Sequence, residues 1–188
     1  MRLGIFGGTF NPVHYGHLML AECAREQFRL DEIWLMPTAT APHKIGRELP
    51  DGRTRLAMVK LAVRSHPNLC ACDLELRRGG VSYTLETVQA VHREHPSAKL
   101  FFIMGSDMLR VPWRGLPQLR RLCTFLSAVR SAAHGSTIRR WPGVRTITMP
   151  SLGISSSEIR ARVRRGESIR YWVPEAVAAY IHRHRLYR

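Results

Sequence analysis

Two histidines, His14 and His17, stand three residues apart behind a glycine pair, in the run Gly4-Ile5-Phe6-Gly7-Gly8-Thr9-Phe10-Asn11-Pro12-Val13-His14-Tyr15-Gly16-His17. Residues three apart at a helix start share a face, so both imidazoles can meet one phosphoryl group and stabilise charge that builds there in a transition state. Gly7 and Gly8 remove the side chains that would hold a bulky anion off the backbone. A helix opening near Gly16 turns free N–H groups and the positive end of its dipole toward the same space. The implied chemistry is phosphoryl or nucleotidyl transfer. A lone glycine pair is more often a plain turn, and this one has neither the Gly-Lys-Ser/Thr of a Walker loop nor the three spaced glycines of a dinucleotide fingerprint.

A second constellation lies far along the chain, in Gly153-Ile154-Ser155-Ser156-Ser157-Glu158-Ile159-Arg160. Ser155 and Glu158 have the spacing of a capping box, and Gly166 closes the helix after Arg162, Arg164 and Arg165. Capping alone explains the serines. Three hydroxyls and free N–H groups at a helix start, with Arg160 one turn in, also make a second phosphate cradle facing the first. Between the two, Ala41-Pro42-His43-Lys44 leaves a buried strand at its carboxyl end, where ligands of parallel sheets collect, so Lys44 can reach the same phosphates. Gly105-Ser106-Asp107 leaves another strand the same way, and Asp107 can accept two ribose hydroxyls or cap the next helix.

The first run resembles the Gly-Gly-Thr-Phe-(Asp/Asn)-Pro-x-His-x-Gly-His signature of the nucleotidyltransferase superfamily, whose members move AMP or CMP from a nucleoside triphosphate to a phosphate acceptor. Ile154 to Arg160 resembles its second motif, Ile-Ser-Ser-(Ser/Thr)-x-Ile-Arg, and Val173 to Ile181 resembles a C-terminal Val-Pro-x-x-Val-x-x-Tyr-Ile. Pro42-His43-Lys44, and the stretch from Asp73 through Ser82-Tyr83-Thr84 and Thr87, are similar to bacterial nicotinate mononucleotide adenylyltransferases. The likeness runs from residue 3 to about residue 182.

The resemblance implies that His14, His17, Lys44 and Arg160 act on the phosphates. It implies ATP contact by Gly7, Gly8, Thr9, Phe10, Gly105, Asp107, Arg130, Ile154, Ser155 and Ser156, and contact with nicotinate mononucleotide by Asn11, Ser82, Tyr83, Thr84 and Trp113. Mg2+ is expected with the ATP, bridging its phosphate oxygens, and no protein metal ligands are assigned. The spacing from Asp107 to Trp113 is shorter than the family pattern. A sibling transferase acting on nicotinamide mononucleotide, phosphopantetheine or a polyol phosphate would carry both motifs, and residues 82–87 with Trp113 are what argue against it.

These side chains need a scaffold. Apolar runs at the N-terminus and at Glu32–Pro37, Leu69–Leu76, Lys99–Met104, Thr124–Arg130 and Val144–Met149 read as strands. Between them, helical spacing marks Leu18–Leu30, Asp51–His66 with Asp51 as its cap and Leu56, Val59 and Val63 inward, and a segment bearing Leu85, Val88 and Val91. Ser82 or Thr84 would serve that last segment as an N-cap. Ser131–Arg140 reads as a polar excursion. Pro174 is expected at the first position of a final helix burying Val177, Tyr180 and Ile181. The expected fold is α/β, a three-layer α/β/α Rossmann-like sandwich around a mainly parallel sheet, in one domain spanning 1–188 with a helical part from about 155.

Composition narrows the alternatives. The 188 residues suffice for one core, and no uncharged run is long enough to span a bilayer, so a cytoplasmic enzyme with no membrane partner is expected. Cys23, Cys70, Cys72 and Cys123 form no Cys-x-x-Cys pair and read as reduced core thiols. The net charge of +15 invites a nucleic-acid reading. Against it, the positive residues are dispersed and no aromatic-interleaved RNA motif or zinc-finger spacing occurs. Oligomeric state is left open, a homo-oligomer included.

Overall fold

Strands buried on both faces pair without needing polar alternation, as Arg2–Gly8 and Lys99–Met104 do here, while at the sheet edge Val144–Met149 fully buries only Ile147. The strands are β1 (Arg2–Gly8), β2 (Glu32–Pro37), β3 (Leu69–Ala71), β4 (Lys99–Met104), β5 (Cys123–Arg130) and β6 (Val144–Met149). This computed structural model describes residues 1–40, 49–110, 112–130 and 143–188, with backbone only at Asp107, Arg110, Val129 and Arg130. Among them the sheet runs β3-β2-β1-β4-β5-β6, and every pair is parallel.

Two helical layers cover it. Helices α1 (Tyr15–Phe28), α2 (Gly52–Val63), α6 (Ser156–Arg164) and α7 (Glu175–Arg183) share one core with Phe6, Ile33, Leu35, Phe101, Ile103 and Leu126. Helices α3 (Leu74–Arg78), α4 (Thr84–Glu94) and α5 (Leu116–Leu122) share the other with Leu3, Ile5, Phe102, Met104 and Phe125. Alternate residues of β1 and β4 thus face opposite layers, as the period of two requires. The chain leaves β1 toward one layer and β4 toward the other, so a crevice opens between the carboxyl ends of these neighbours. Among the described residues no helix is long and apolar enough to cross a membrane.

Several expectations need correction. The strand predicted over Leu69–Leu76 ends at Ala71, and Leu74 begins α3, because Asp73 and the basic Arg77 and Arg78 suit the two ends of a short helix. Asp51 does cap α2, accepting from the Thr54 amide at 2.6 Å, but the buried face carries Arg55 and Met58 while Leu56 is half-buried. Pro174 is the N-cap of α7 rather than its first residue, and Tyr180 is only half-buried. Tyr83, not Ser82 or Thr84, occupies the N-cap of α4. Of the four free cysteines only Cys123 is in the core. Burial pushes its thiol up to about 12. Cys70 donates to Glu32 Oε1 at 3.0 Å, and desolvation with that carboxylate raises it to about 11.

Candidate active site

The loop after β1 is shaped by Phe10. Its backbone is left-handed (φ 47°), its side chain is 2 % exposed, and its ring lies under Gly8, where a Cβ would stand 3.0 Å from Cζ. Gly8 is therefore demanded by packing. Gly7 is not, since a Cβ there would meet only Phe102 at 3.5 Å, an ordinary contact. What its missing side chain leaves is room over the crevice.

His14 is the N-cap of α1 in extended conformation, and its amide donates to Nδ1 of His17 at 3.2 Å. The imidazoles stack with centroids 3.7 Å apart, and Phe6 and Phe10 close on His17 at 5.9 and 5.0 Å. Because Nδ1 of His17 accepts, the proton of the neutral ring sits on Nε2, which makes that nitrogen a donor. Gly16 lets the pair close: a Cβ there would lie 3.0 Å from Cε1 and Nδ1 of His14 and 3.7 Å from the carbonyl oxygen of Ile154. The helix start offers fewer amides than expected. Tyr15 N–H donates to Trp172 O at 3.1 Å, and the amides of His17 and Leu18 both turn to His14 O.

Helix α6 brings the second motif against the first. Arg160 Nη1 donates to Asn11 O at 2.7 Å, and Ser156 Oγ donates to Pro12 O at 2.9 Å. The three serines are therefore structural as well: Ser155 Oγ accepts from the Glu158 amide, and Ser157 Oγ accepts from Arg160 Nη2 at 3.3 Å. The reciprocal half of the capping box does not form, because the Glu158 carboxylate pairs with Arg165 at 2.9 Å. Gly166 ends the helix as expected, left-handed at φ 71° with its amide on Val163 O and the next amide on Arg162 O. Asn11 itself is 5 % exposed, and its side-chain Oδ1 is buried without a hydrogen-bond partner.

A buried cation joins the loops. Arg55 is 2 % exposed and donates to Thr9 O at 2.9 Å, Thr38 O at 2.7 Å and Pro50 O at 3.0 Å. Burial disfavours the charged form of both Arg55 and Arg160, and neither is salt-bridged to a carboxylate among the described residues. From the exit of β2 the network continues. Ala39 N–H donates to Ser82 Oγ at 3.0 Å and Ser82 N–H to Thr40 O at 2.9 Å. Below Ser82 lies Glu75, 4 % exposed, accepting from Thr87 Oγ1 at 2.6 Å, with burial raising its pKa from the ordinary carboxylate value.

Trp113 is half-buried, edge-on to Phe102 and Phe125 at 5.6 and 5.4 Å, with Nε1 donating to Met108 O at 2.9 Å. The residues after it reach the start of α4. Arg114 sits over the Tyr83 ring with Cζ 4.9 Å from the centroid, and a Cβ on Gly115 would meet Leu85 Cδ2 at 2.5 Å. Gly105 closes β4 beside β1, and the backbone of Asp107 lies in the 3-10 turn Ser106–Arg110. Lys44 and the excursion 131–140 fall outside the described residues, as do the side chains of Asp107 and Arg130. Among the described residues no three His, Cys, Asp or Glu side chains converge as a metal site.

Sequence reasoning thus found both motifs but missed the parts taken by Arg55, Arg114 and Glu75. For Arg55 a signal existed, since it falls four and eight residues before Val59 and Val63, on the apolar stripe where a charge demands partners.

Residues 5–162 match the cytidylyltransferase-like family. A probable nicotinate-nucleotide adenylyltransferase of Salinibacter ruber is 44% identical over 192 residues, covering 100% of this chain and 98% of the relative. One from Shouchella clausii is 40% identical over 99% of this chain and 96% of its own. The structure of Plasmodium falciparum nicotinic acid mononucleotide adenylyltransferase complexed with NaAD shares the fold, with a TM-score of 0.81 at 22% identity over 99% of this chain and 97% of that one. With both motifs closed on one crevice and relatives matched along their whole length, the chain belongs to the nicotinate-nucleotide adenylyltransferases of the cytidylyltransferase-like family.

Proposed function

We propose that this chain transfers AMP from ATP to nicotinate mononucleotide, releasing pyrophosphate and giving deamido-NAD. The observation that carries this reading is the joining of the two motifs by Arg160 on Asn11 O and Ser156 on Pro12 O, which gathers imidazoles, amides and a guanidinium at one crevice. An oxygen of the acceptor's 5′-phosphate attacks the α-phosphorus. The bond to the bridging oxygen breaks, and pyrophosphate leaves with that electron pair. Nucleophile and leaving group are both anions, so catalysis consists of alignment and neutralisation of charge, without a covalent enzyme intermediate.

In this reading His17 Nε2–H, with His14 beside it, donates to the α-phosphate oxygens as charge develops. Arg160 and Lys44 hold the flanking phosphates. Gly7, Gly8, Thr9 and Phe10 carry the triphosphate, with amides near Ile154, Ser155 and Ser156. Gly105, Asp107 and Arg130 bind the nucleoside side. Asn11, Ser82, Tyr83 and Thr84 receive the acceptor, and Trp113 covers its ring. Magnesium would enter with the ATP as part of the substrate, since among the described residues no three His, Cys, Asp or Glu side chains converge to hold it, and it would supply charge neutralisation at the phosphates.

The test is a panel of phosphorylated acceptors with ATP and magnesium, following pyrophosphate release and the dinucleotide formed. Nicotinate mononucleotide should give the highest kcat/KM. A higher value with phosphopantetheine, or turnover only with CTP, would overturn the assignment while leaving the family intact.

A further inference from the structure

Helices α3 and α4 are joined by a turn with little packing of its own. Gly79 and Gly80 are left-handed at φ 70° and 66°, and a Cβ on either would meet nothing within 4 Å. What ties the two helices is a buried polar contact across that turn. Glu75 of α3 is 4 % exposed, and Thr87 of α4 is fully buried. Thr87 Oγ1 donates to Glu75 Oε1 at 2.6 Å and accepts from Arg78 Nη2 at 3.0 Å, so two side chains of α3 close on one hydroxyl. Helix α3 is a firm base for them. Leu74 lies in the core, and a Cβ on Gly52 at the start of α2 would stand 2.5 Å from Leu76 Cδ2.

The hydroxyl has a second place to go. The carbonyl oxygen of Tyr83, at the N-cap of α4, lies 3.3 Å from Thr87 Oγ1 and already accepts the Thr87 amide at 3.2 Å. A helical threonine that gives its proton to the carbonyl four residues back bends the turn between them. Here the carboxyl, at 2.6 Å against 3.3 Å, takes the single proton, and Arg78 occupies a lone pair and so turns the O–H toward it. The turn kept straight in this way is the one whose amides no side chain caps.

We propose that Glu75 is a positioning residue for the acceptor: through the Thr87 hydroxyl it holds the first turn of α4, so that the amides there keep the direction that receives the acceptor's carboxylate. This rests on the reading that the start of α4 meets the nicotinate end of the acceptor. Glu75 touches no substrate. Its role needs an acceptor oxygen at Thr87 rather than a charge, so glutamine can serve in its place and methionine cannot.

Steady-state KM and kcat for nicotinate mononucleotide and for ATP, with thermal midpoints, are measured for wild type, Glu75→Gln, Glu75→Met, Thr87→Val and the Glu75→Met/Thr87→Val double variant. Glu75→Met should raise KM for nicotinate mononucleotide about threefold to tenfold while leaving KM for ATP and kcat within about twofold. Glu75→Gln should keep the wild-type KM. Thr87→Val, which removes the same tie, should also raise the acceptor KM, and in that background Glu75→Met should add nothing. Stability should move differently. Each apolar single variant leaves a buried polar group without its partner, whereas the double variant removes both, so its midpoint should recover while the raised KM persists. A wild-type acceptor KM in Glu75→Met, an equal rise in Glu75→Gln, a parallel rise in KM for ATP, or full additivity of the two substitutions would each overturn the proposal. Should Glu75→Met fail to fold, Thr87→Val decides alone, and an unchanged acceptor KM there overturns it. Use of a different acceptor by the wild type would instead remove the functional reading, an outcome visible before any variant is made.

Discussion

The guanidinium of Arg160 donates to the carbonyl oxygen of Asn11 at 2.7 Å, across 149 positions of sequence. One side chain therefore both closes the second motif onto the first and presents charge to whatever lies between them. Arg160→Ala is expected to weaken ATP and pyrophosphate binding by roughly tenfold or more, because a charge-assisted contact in a half-buried place is lost. Arg183, exposed on α7, is screened by solvent, and Arg183→Ala should change neither affinity. Equal losses in titrations of both variants would mean that the diffuse field of a +15 chain, not a site, holds the nucleotide.

Arg55 carries a different load. It joins Thr9 to Thr38 from inside the protein, so Arg55→Met would bury an apolar stem of similar length and leave those carbonyls unsatisfied. The expected cost is on the order of 3 kcal/mol. Urea unfolding of wild type and variant checks it, and an unshifted midpoint would show that the carbonyls find other donors.

At Gly16 stability and activity should separate. Replacing a helical glycine by alanine ordinarily stabilises a helix by about 1 kcal/mol. Here the new Cβ would stand 3.0 Å from the His14 ring, which must give way by a few tenths of an ångström and take His17, stacked on it, along. Gly16→Ala should keep or raise the melting temperature while lowering kcat by about tenfold or more, since small misplacements at the reacting group are costly. A drop in melting temperature with kcat intact would refute this account.

The parts of this protein that the sequence made legible are those set by local rules. The β1 strand, the Asp51 and Ser155 caps and the Gly166 stop follow from residue type and spacing, whereas Gly7 and Gly8, read as the break, still pair as strand with Met36 and Pro37. What could not be read was the destination of long polar side chains. Nothing near Arg55 in sequence says that it reaches Thr9, and nothing near Arg114 says that it lies on Tyr83, because both contacts depend on how distant elements pack. The third strand was overextended for a similar reason. Leu74 and Leu76 alternate with Asp73 and Glu75 as a strand would, yet Glu75 is buried by tertiary hydrogen bonds that the period of two cannot reveal.

That buried carboxyl gives a pH signature. Burial raises the pKa of Glu75 above its unfolded value, so the folded state holds a proton that the unfolded chain has released. Stability from this group is present below the unfolded carboxylate pKa and is lost as pH rises through the folded one. Thr87 Oγ1, Ser82 and, more weakly, Arg78 oppose the shift. Glu75→Gln should remove that slope, flattening the melting temperature between weakly acidic and neutral pH. Identical pH profiles for wild type and variant would mean that Glu75 is ionised in the folded protein.

The last prediction concerns selection of the acid over the amide. A nicotinate carboxylate must leave water carrying a full negative charge, so its pocket has to present donors or a cation. From Val81 to Val91 the sequence holds no Arg or Lys, which leaves the amides at the start of α4 as the local source. The fold adds Arg114, whose guanidinium carbon lies 4.9 Å from the Tyr83 ring centroid at the N-cap of that helix. An exposed guanidinium is partly screened, so its share of the discrimination should be modest and salt-dependent. Arg114→Gln keeps hydrogen-bonding capacity and removes the charge. It should cut kcat/KM for nicotinate mononucleotide by roughly threefold to tenfold, with little change for nicotinamide mononucleotide. Side-by-side kinetics at low and high ionic strength decide the matter. An equal fall for both mononucleotides would make Arg114 a packing partner of Tyr83, and no fall for either would return the whole preference to the backbone amides of α4.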